Sequence, residues 1–172
     1  VFLYEGQELG LRDVTFHSAE EFRDVEARNY YRELIQNGKT EEEAFAIVAP
    51  GTRDQSRTPM QWTAGANAGF TTGTPWLRLA DDFDVHNAQD EAKDPDSILN
   101  FYKKATALRH QYKTFVYGTF EAVDPERKDY FGYRRSDKDG TFFVEMNLSK
   151  KAIARPHPVE GELLLATYGD TA

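Results

Sequence analysis

The stretch GTRDQSRTPMQW, residues 51–62, gathers Arg53, Asp54 and Arg57 with Met60 and Trp62. An arginine fork can hold a carboxylate or the vicinal hydroxyls of a sugar in fixed geometry. Pro59 and the lack of apolar periodicity exclude a helix interior or a central strand. The stretch is therefore a loop, and charged and aromatic residues gathered on a loop often belong to a site. Hydrolysis of a glycosidic bond with retention needs two carboxylates about 5 Å apart. Asp13, Glu26 and Asp54 all lie in or near the loops and helices of this region, and no spacing argument pairs any two of them. Asp54 reads equally well as a site residue or as a structural ion-pair partner of Arg57 or Arg12. At least one of the two loop arginines is expected to be structural.

Other chemistries find little support. No G-x-S-x-G nucleophile elbow, Walker loop or dinucleotide fingerprint occurs. His17, His86, His110 and His157 are scattered without ligand spacing, so no metal site is expected. With no cysteine, disulfides and thiolate catalysis are excluded and a reducing, cytoplasmic setting is permitted. The net charge of −8 would repel phosphate backbones and anionic lipid, so neither nucleic acid nor a membrane surface is an expected partner. No apolar run is long enough to span a bilayer. No cofactor is expected. Aromatics reach 13%, which suits either a packed core or a sugar-binding cleft.

These side chains need elements to hold them. Val1 to Tyr4 is a fully apolar, β-rich run that reads as a buried parallel strand. Ser18 to Gln36 reads as a helix, with Ser18 and Glu21 as a capping box, Phe22, Val25, Tyr30 and Leu34 as an imperfect stripe, and Gly38 past its end. Thr40 to Ala49 repeats the logic with Thr40 and Glu43, and Pro50-Gly51 stops it. Residues 50–93 carry turn formers and little periodicity, and so long an irregular run is usually functional. A further helix is capped by Asp94, with Pro95 at its first position and Ile98, Phe101, Tyr102, Ala105, Leu108 and Tyr112 on one face. After Tyr112 the runs FVYGTFEAV, YFGYRRS, TFFVEMNL and GELLLATY read as short antiparallel strands, with SDKDG as a hairpin turn. A boundary is expected near residue 113. Both ends interrupt apolar runs, so Val1 reads as a cut point inside a longer protein.

The segments VFLYEGQELGLRDV, FRDVEARNYY, RDQSRTPMQW and NAGFTTGTPW together resemble the α-glucosidase and oligo-1,6-glucosidase branch of the α-amylase family of glycoside hydrolases. The likeness runs in order from Val1 to about Gly118 and more weakly to Ala172. It implies α/β plus all-β architecture. Residues 1–113 would be the last βα unit of a (β/α)8 TIM barrel with its long active-site loop. Residues 114–172 would be an incomplete antiparallel β-sandwich C-terminal domain. The strand would be the eighth of the barrel, and the helix from Asp94 the eighth helix.

The family's catalytic Asp, Glu and Asp, the last in an Asn-His-Asp run, would all lie upstream of Val1. No catalytic residue is therefore expected here, and the isolated chain is expected to be inactive. The resemblance gives Arg53 the grip on the non-reducing glucose in the −1 subsite, and places Glu26 on the +1 side. Arg57 is assigned to loop structure. Two positions depart from the family pattern: Gln55 where Asn is common, and Thr63 where Asp is usual. The implied protein is a retaining, exo-acting α-glucosidase cleaving α-1,6 and/or α-1,4 bonds of short gluco-oligosaccharides. Its partners would be that substrate and the remainder of its own barrel. A trehalose-6-phosphate hydrolase, a sucrose isomerase-type member and a non-catalytic, transport-associated relative are the alternatives, together with a free-standing carbohydrate-binding β module that the apolar start argues against.

Overall fold

The computed structural model describes residues 2–168, which divide into two compact units at Tyr102/Lys103. In the first unit, helix α1 runs Val25–Gln36 and helix α2 Glu41–Val48. α2 starts as its sequence predicts. The Thr40 hydroxyl accepts from Glu43 N–H at 3.2 Å, and the Glu43 carboxylate accepts from Thr40 N–H at 3.0 Å. α1 starts later than expected. Ser18 opens only a short 3-10 turn, Ala19–Glu21, and its side chain caps nothing there. Extended backbone at Phe22 and Asp24 separates that turn from the helix, and the Asp24 carboxylate is the actual cap, accepting from Glu26 N–H at 3.2 Å. The later start resets the helical phase. Ala27 is buried and Tyr31 and Leu34 pack beside it, whereas Val25 and Tyr30 face solvent.

The core of this unit is Val14, Phe16, Phe22, Ala27, Val48 and Ala80. Phe22 stands edge-on to Phe16 with ring centroids 5.4 Å apart and is stacked on Phe45 at 5.7 Å. The residues that follow are irregular, as expected, and end in a one-turn helix, α3, Ala88–Glu91, capped by Asn87. At Asn67, Ala68 and Gly69 the backbone is left-handed, with φ of 52°, 54° and 69°. The turn is closed by Trp62 and Thr63 N–H, both donating to Ala68 carbonyl oxygen at 2.8 and 3.0 Å. A side chain at Gly69 would meet Thr63 Oγ1 at 2.8 Å, so both the conformation and the space require glycine there.

Two further expectations fail. Phe2 to Tyr4 form no strand and are exposed, Phe2 by 99%. A parallel strand needs neighbours on its ladder, and among the described residues no strand lies beside it. Val1, the first residue of that run, lies outside the described residues. Helix α4 is Ile98–Gln111, beginning after Asp94 and Pro95 rather than at them. The Asp94 carboxylate closes a preceding turn by accepting from Asp96 N–H, and the Ser97 hydroxyl receives Asn100 N–H at 3.1 Å.

In the second unit Thr114–Tyr117 is a short helix, α5, where the FVY run predicts β structure. Strands β1 (Thr119–Val123), β2 (Tyr130–Asp137) and β3 (Gly140–Asn147) form one antiparallel sheet in sequence order. The β2–β3 turn falls within SDKDG, with Asp137 paired to Gly140. Phe115 and Phe142 rings pack 4.6 Å apart. The GELLLATY run forms no strand, leaving Leu163 64% exposed, and among the described residues no second sheet completes a sandwich.

Candidate substrate-binding surface

The loop of interest opens as a 3-10 turn, Arg53–Arg57, whose start is capped by the Thr52 hydroxyl accepting from Asp54 N–H. The turn buries Asp54 completely. Neither arginine proposed for it pairs with Asp54. Its Oδ2 accepts instead from the backbone N–H groups of Arg23 and Asp24, at 2.7 and 2.9 Å. The other oxygen, Oδ1, is buried and has no protein partner among the described residues. Asp54 thus fixes the start of α1 from outside the helix.

Asp24 answers in the opposite direction. Its Oδ2 accepts from Arg53 N–H at 3.3 Å. Its two oxygens also take the Arg53 side chain: Nε donates at 3.2 and 3.1 Å, and Nη2 donates to Oδ1 at 2.6 Å. Each aspartate therefore receives backbone N–H from the other segment, a reciprocal clasp between the start of α1 and the loop. Asp24 is 4% exposed, and the Arg53 guanidinium bonded to it holds its carboxyl down to about 2. The same hydrogen bond pushes the Arg53 pKa up. Arg53 nonetheless stays half-exposed, and its Nη2 also lies 3.2 Å from the outward-facing Glu26 carboxylate. The two residues assigned to substrate binding are thus side by side on one surface. Two donors of the guanidinium are committed to Asp24, and Nη1 has no hydrogen-bond partner among the described residues.

The loop is braced by Gln55, not by Arg57. The Gln55 amide accepts from Val14 N–H at 2.7 Å and donates to the Val14 carbonyl at 3.0 Å, copying a strand pair with one side chain. Arg57 is half-buried, without a hydrogen bond or ion pair among the described residues. Pro59, Met60 and Gln61 turn inward and are buried, whereas Trp62 is half-exposed. Thr63 performs a turn-closing task open to Asp as well, its hydroxyl accepting from Gly65 N–H at 3.1 Å. Both departures from the family pattern are thus polar side chains engaged with backbone.

Asp13 is exposed, whereas Asp54 is completely buried with its Oδ2 taken up by backbone N–H groups, so Asp54 is not open to a substrate. Among the described residues no group of His, Asp and Glu is arranged to hold a metal. A cleft of about 320 Å³ in the same unit is lined by Arg23, Trp76 and Arg78 but by neither Arg53 nor Glu26. Their surface is open: a wall without the rest of a pocket. Asp24 is the residue that the sequence reading missed. Its signal was available, since an Asp two positions before Glu26 is a good helix cap, but the Ser18 box drew the helix start upstream.

Residues 1–118 match the family described as "Alpha amylase, catalytic domain". An oligo-1,6-glucosidase from Heyndrickxia coagulans is 36% identical over 99% of this chain and 31% of its own length. A trehalose-6-phosphate hydrolase from Escherichia coli strain K12 is 38% identical over 87% of this chain and 27% of its own. Among solved structures, trehalose-6-phosphate hydrolase from Bacillus licheniformis superposes with a TM-score of 0.85 at 34% identity, covering 98% of this chain and 32% of that one. Trehalulose synthase from Pseudomonas mesoacidophila MX-45 gives 0.80 at 36% identity, covering 86% and 27%. The chain spans about a third of the length of the relatives it matches.

Proposed function

The chain belongs to the α-amylase family, and on that premise we propose that it is the C-terminal part of a retaining, exo-acting α-glucosidase acting on α-1,6 and/or α-1,4 bonds of short gluco-oligosaccharides in the cytoplasm. Residues 1–113 are its last barrel segment and residues 114–172 the start of its β domain. The observation that carries the reading is the Arg53–Glu26 pair, a half-exposed guanidinium beside an exposed carboxylate on an irregular loop. Arg53 donates to hydroxyls of the non-reducing glucose, and Glu26 accepts from the sugar on the leaving-group side. The catalytic carboxylates come from the preceding part of the protein, as does the rest of the pocket. Alone, the chain should therefore release no nitrophenol from an aryl α-glucoside, and turnover above the buffer rate by pure chain would sink the proposal.

The decisive test is Arg53→Ala in the full-length enzyme. Hydrogen bonds from a charged group are worth roughly 1.5–3 kcal/mol each, so kcat/KM should fall about 100-fold. Arg53→Lys should recover only part, because an ammonium lacks the planar fork. Near-normal kcat/KM in Arg53→Ala would make Arg53 scaffold. The trehalose-6-phosphate hydrolases among the relatives support a second reading, hydrolysis of that phosphorylated disaccharide. Parallel assays with isomaltose and trehalose 6-phosphate separate the two.

A further inference from the structure

We propose that Asp24 is the positioning residue for Arg53: it takes the Nε edge of the guanidinium and so turns Nη1 and the outer face of Nη2 toward the sugar. The inference rests on the sugar-gripping role of Arg53 given above.

Three observations converge on it. First, the contact is multidentate, with Nε near both carboxylate oxygens at 3.2 and 3.1 Å and Nη2 at 2.6 Å from Oδ1. A planar fork held along one edge has its opposite edge fixed in direction. Secondly, Asp24 is itself immobilised. It is 4% exposed, it caps α1 through Glu26 N–H, and its own N–H is held by the buried Asp54. Thirdly, it accepts from Arg53 N–H as well, so one carboxylate fixes both the main chain and the side chain of the same residue. Arg53 is half-exposed and on a flexible stem, and a long side chain in that situation otherwise samples many rotamers. A guanidinium ordered before the sugar arrives saves the cost of ordering it on binding. Glu26 cannot do this alone, because it is 77% exposed and touches only Nη2.

The test uses the full-length enzyme with an aryl α-glucoside. Asp24→Asn keeps size and shape but loses the charge, and its amide nitrogen cannot accept from the fork. At a temperature where circular dichroism shows the variant folded, kcat/KM should drop at least tenfold. Arg53→Lys, damaging in the wild-type background, should add less than threefold on top of Asp24→Asn, because the two residues act as one unit. A folded Asp24→Asn enzyme with wild-type kcat/KM, or a fully additive double mutant, overturns the inference. If Asp24→Asn does not fold, Asp24→Glu decides. It keeps the charge but shifts the fork by a methylene, so kcat/KM should fall severalfold with Tm near wild type, and unchanged kcat/KM refutes positioning. Arg53→Ala separates the two levels. If it is active, the sugar-grip reading fails with this inference. If it is crippled while Asp24→Asn is normal, only the positioning role falls.

Discussion

The two units of this chain hold distant segments together by different means. In the sheet, β1, β2 and β3 are joined by backbone ladders in continuous register, Thr119 opposite Ser136 through Val123 opposite Gly132, and Tyr130 opposite Asn147 through Asp137 opposite Gly140. No single side chain is indispensable to a ladder of that length. Between Asp13 and Ala88 the long connections are few, and several run through side chains. Gln55 binds Val14, Asp54 binds Arg23 and Asp24, and Asp24 binds Arg53. The irregular path leaves main-chain donors without a repeating partner, and buried donors must be satisfied somehow. Buried polar side chains perform that task. Robustness is therefore distributed in the sheet and concentrated in the loop unit, the same unit that carries the candidate site.

Substitutions can test this contrast. The largest loss is expected from Phe22→Ala, which removes the ring packed between Phe16 and Phe45. Comparable core truncations cost about 3–5 kcal/mol, readable by denaturant titration. Asp54→Ala comes next, at about 2–4 kcal/mol, since it strands the buried N–H of Asp24 and the partly buried N–H of Arg23. Hydrogen exchange should accelerate at the amides of Arg23 and Asp24 well before the sheet amides respond. Acid should act more mildly, through Asp24. Its carboxyl titrates at about 2 in the folded chain against 3.8 ordinarily. A depressed value means that the stabilisation is fully present above about pH 4 and is lost as the pH falls toward 2. Asp24→Asn should flatten that acid limb, and an unchanged limb would count against the clasp. The smallest effect is expected in the sheet. Thr141→Ala removes an exposed hydroxyl contact to Ser136 at 3.0 Å, and such changes stay within about 0.5 kcal/mol. A loss there matching that of Asp54→Ala would erase the contrast.

The sequence was legible where local chemistry decides. The Thr40–Glu43 box, the hairpin turn at residues 136–140 and the half-buried face of Phe101, Tyr102, Ala105, Leu108 and Tyr112 follow from neighbouring residues alone, whereas Ile98, expected on that face, is exposed. So does the loop character of residues 51–62. It misled where the outcome depends on partners far along the chain. The apolar run at Phe2 to Tyr4 and the run at residues 161–168 have strand composition, but a strand also needs a neighbour. Ser18 and Glu21 satisfy a capping pattern, yet the Asp54 carboxylate, distant in sequence, fixes the backbone at residues 23 and 24 and moves the helix start to Val25. At the site, the motif pointed to Arg53 and Glu26, and their proximity came from folding. The cap made by Asp24 was legible locally, but its hold on Arg53 exists only once the loop is brought beside it.

The clasp between Asp24 and Arg53 also closes the base of the α1–α2 hairpin. Everything between those residues leaves and returns through one fixed point. The tip of that excursion, at Gly38, is open, with φ of 86° and no atom within 4 Å of where a side chain would begin. For a protein engineer the hairpin is a cassette with its own fastening. A peptide tag or reporter spliced between Gly38 and Lys39, upstream of the Thr40 cap, adds loop-closure entropy that grows only slowly with length. The fastening keeps that disturbance from the arginine at the other end.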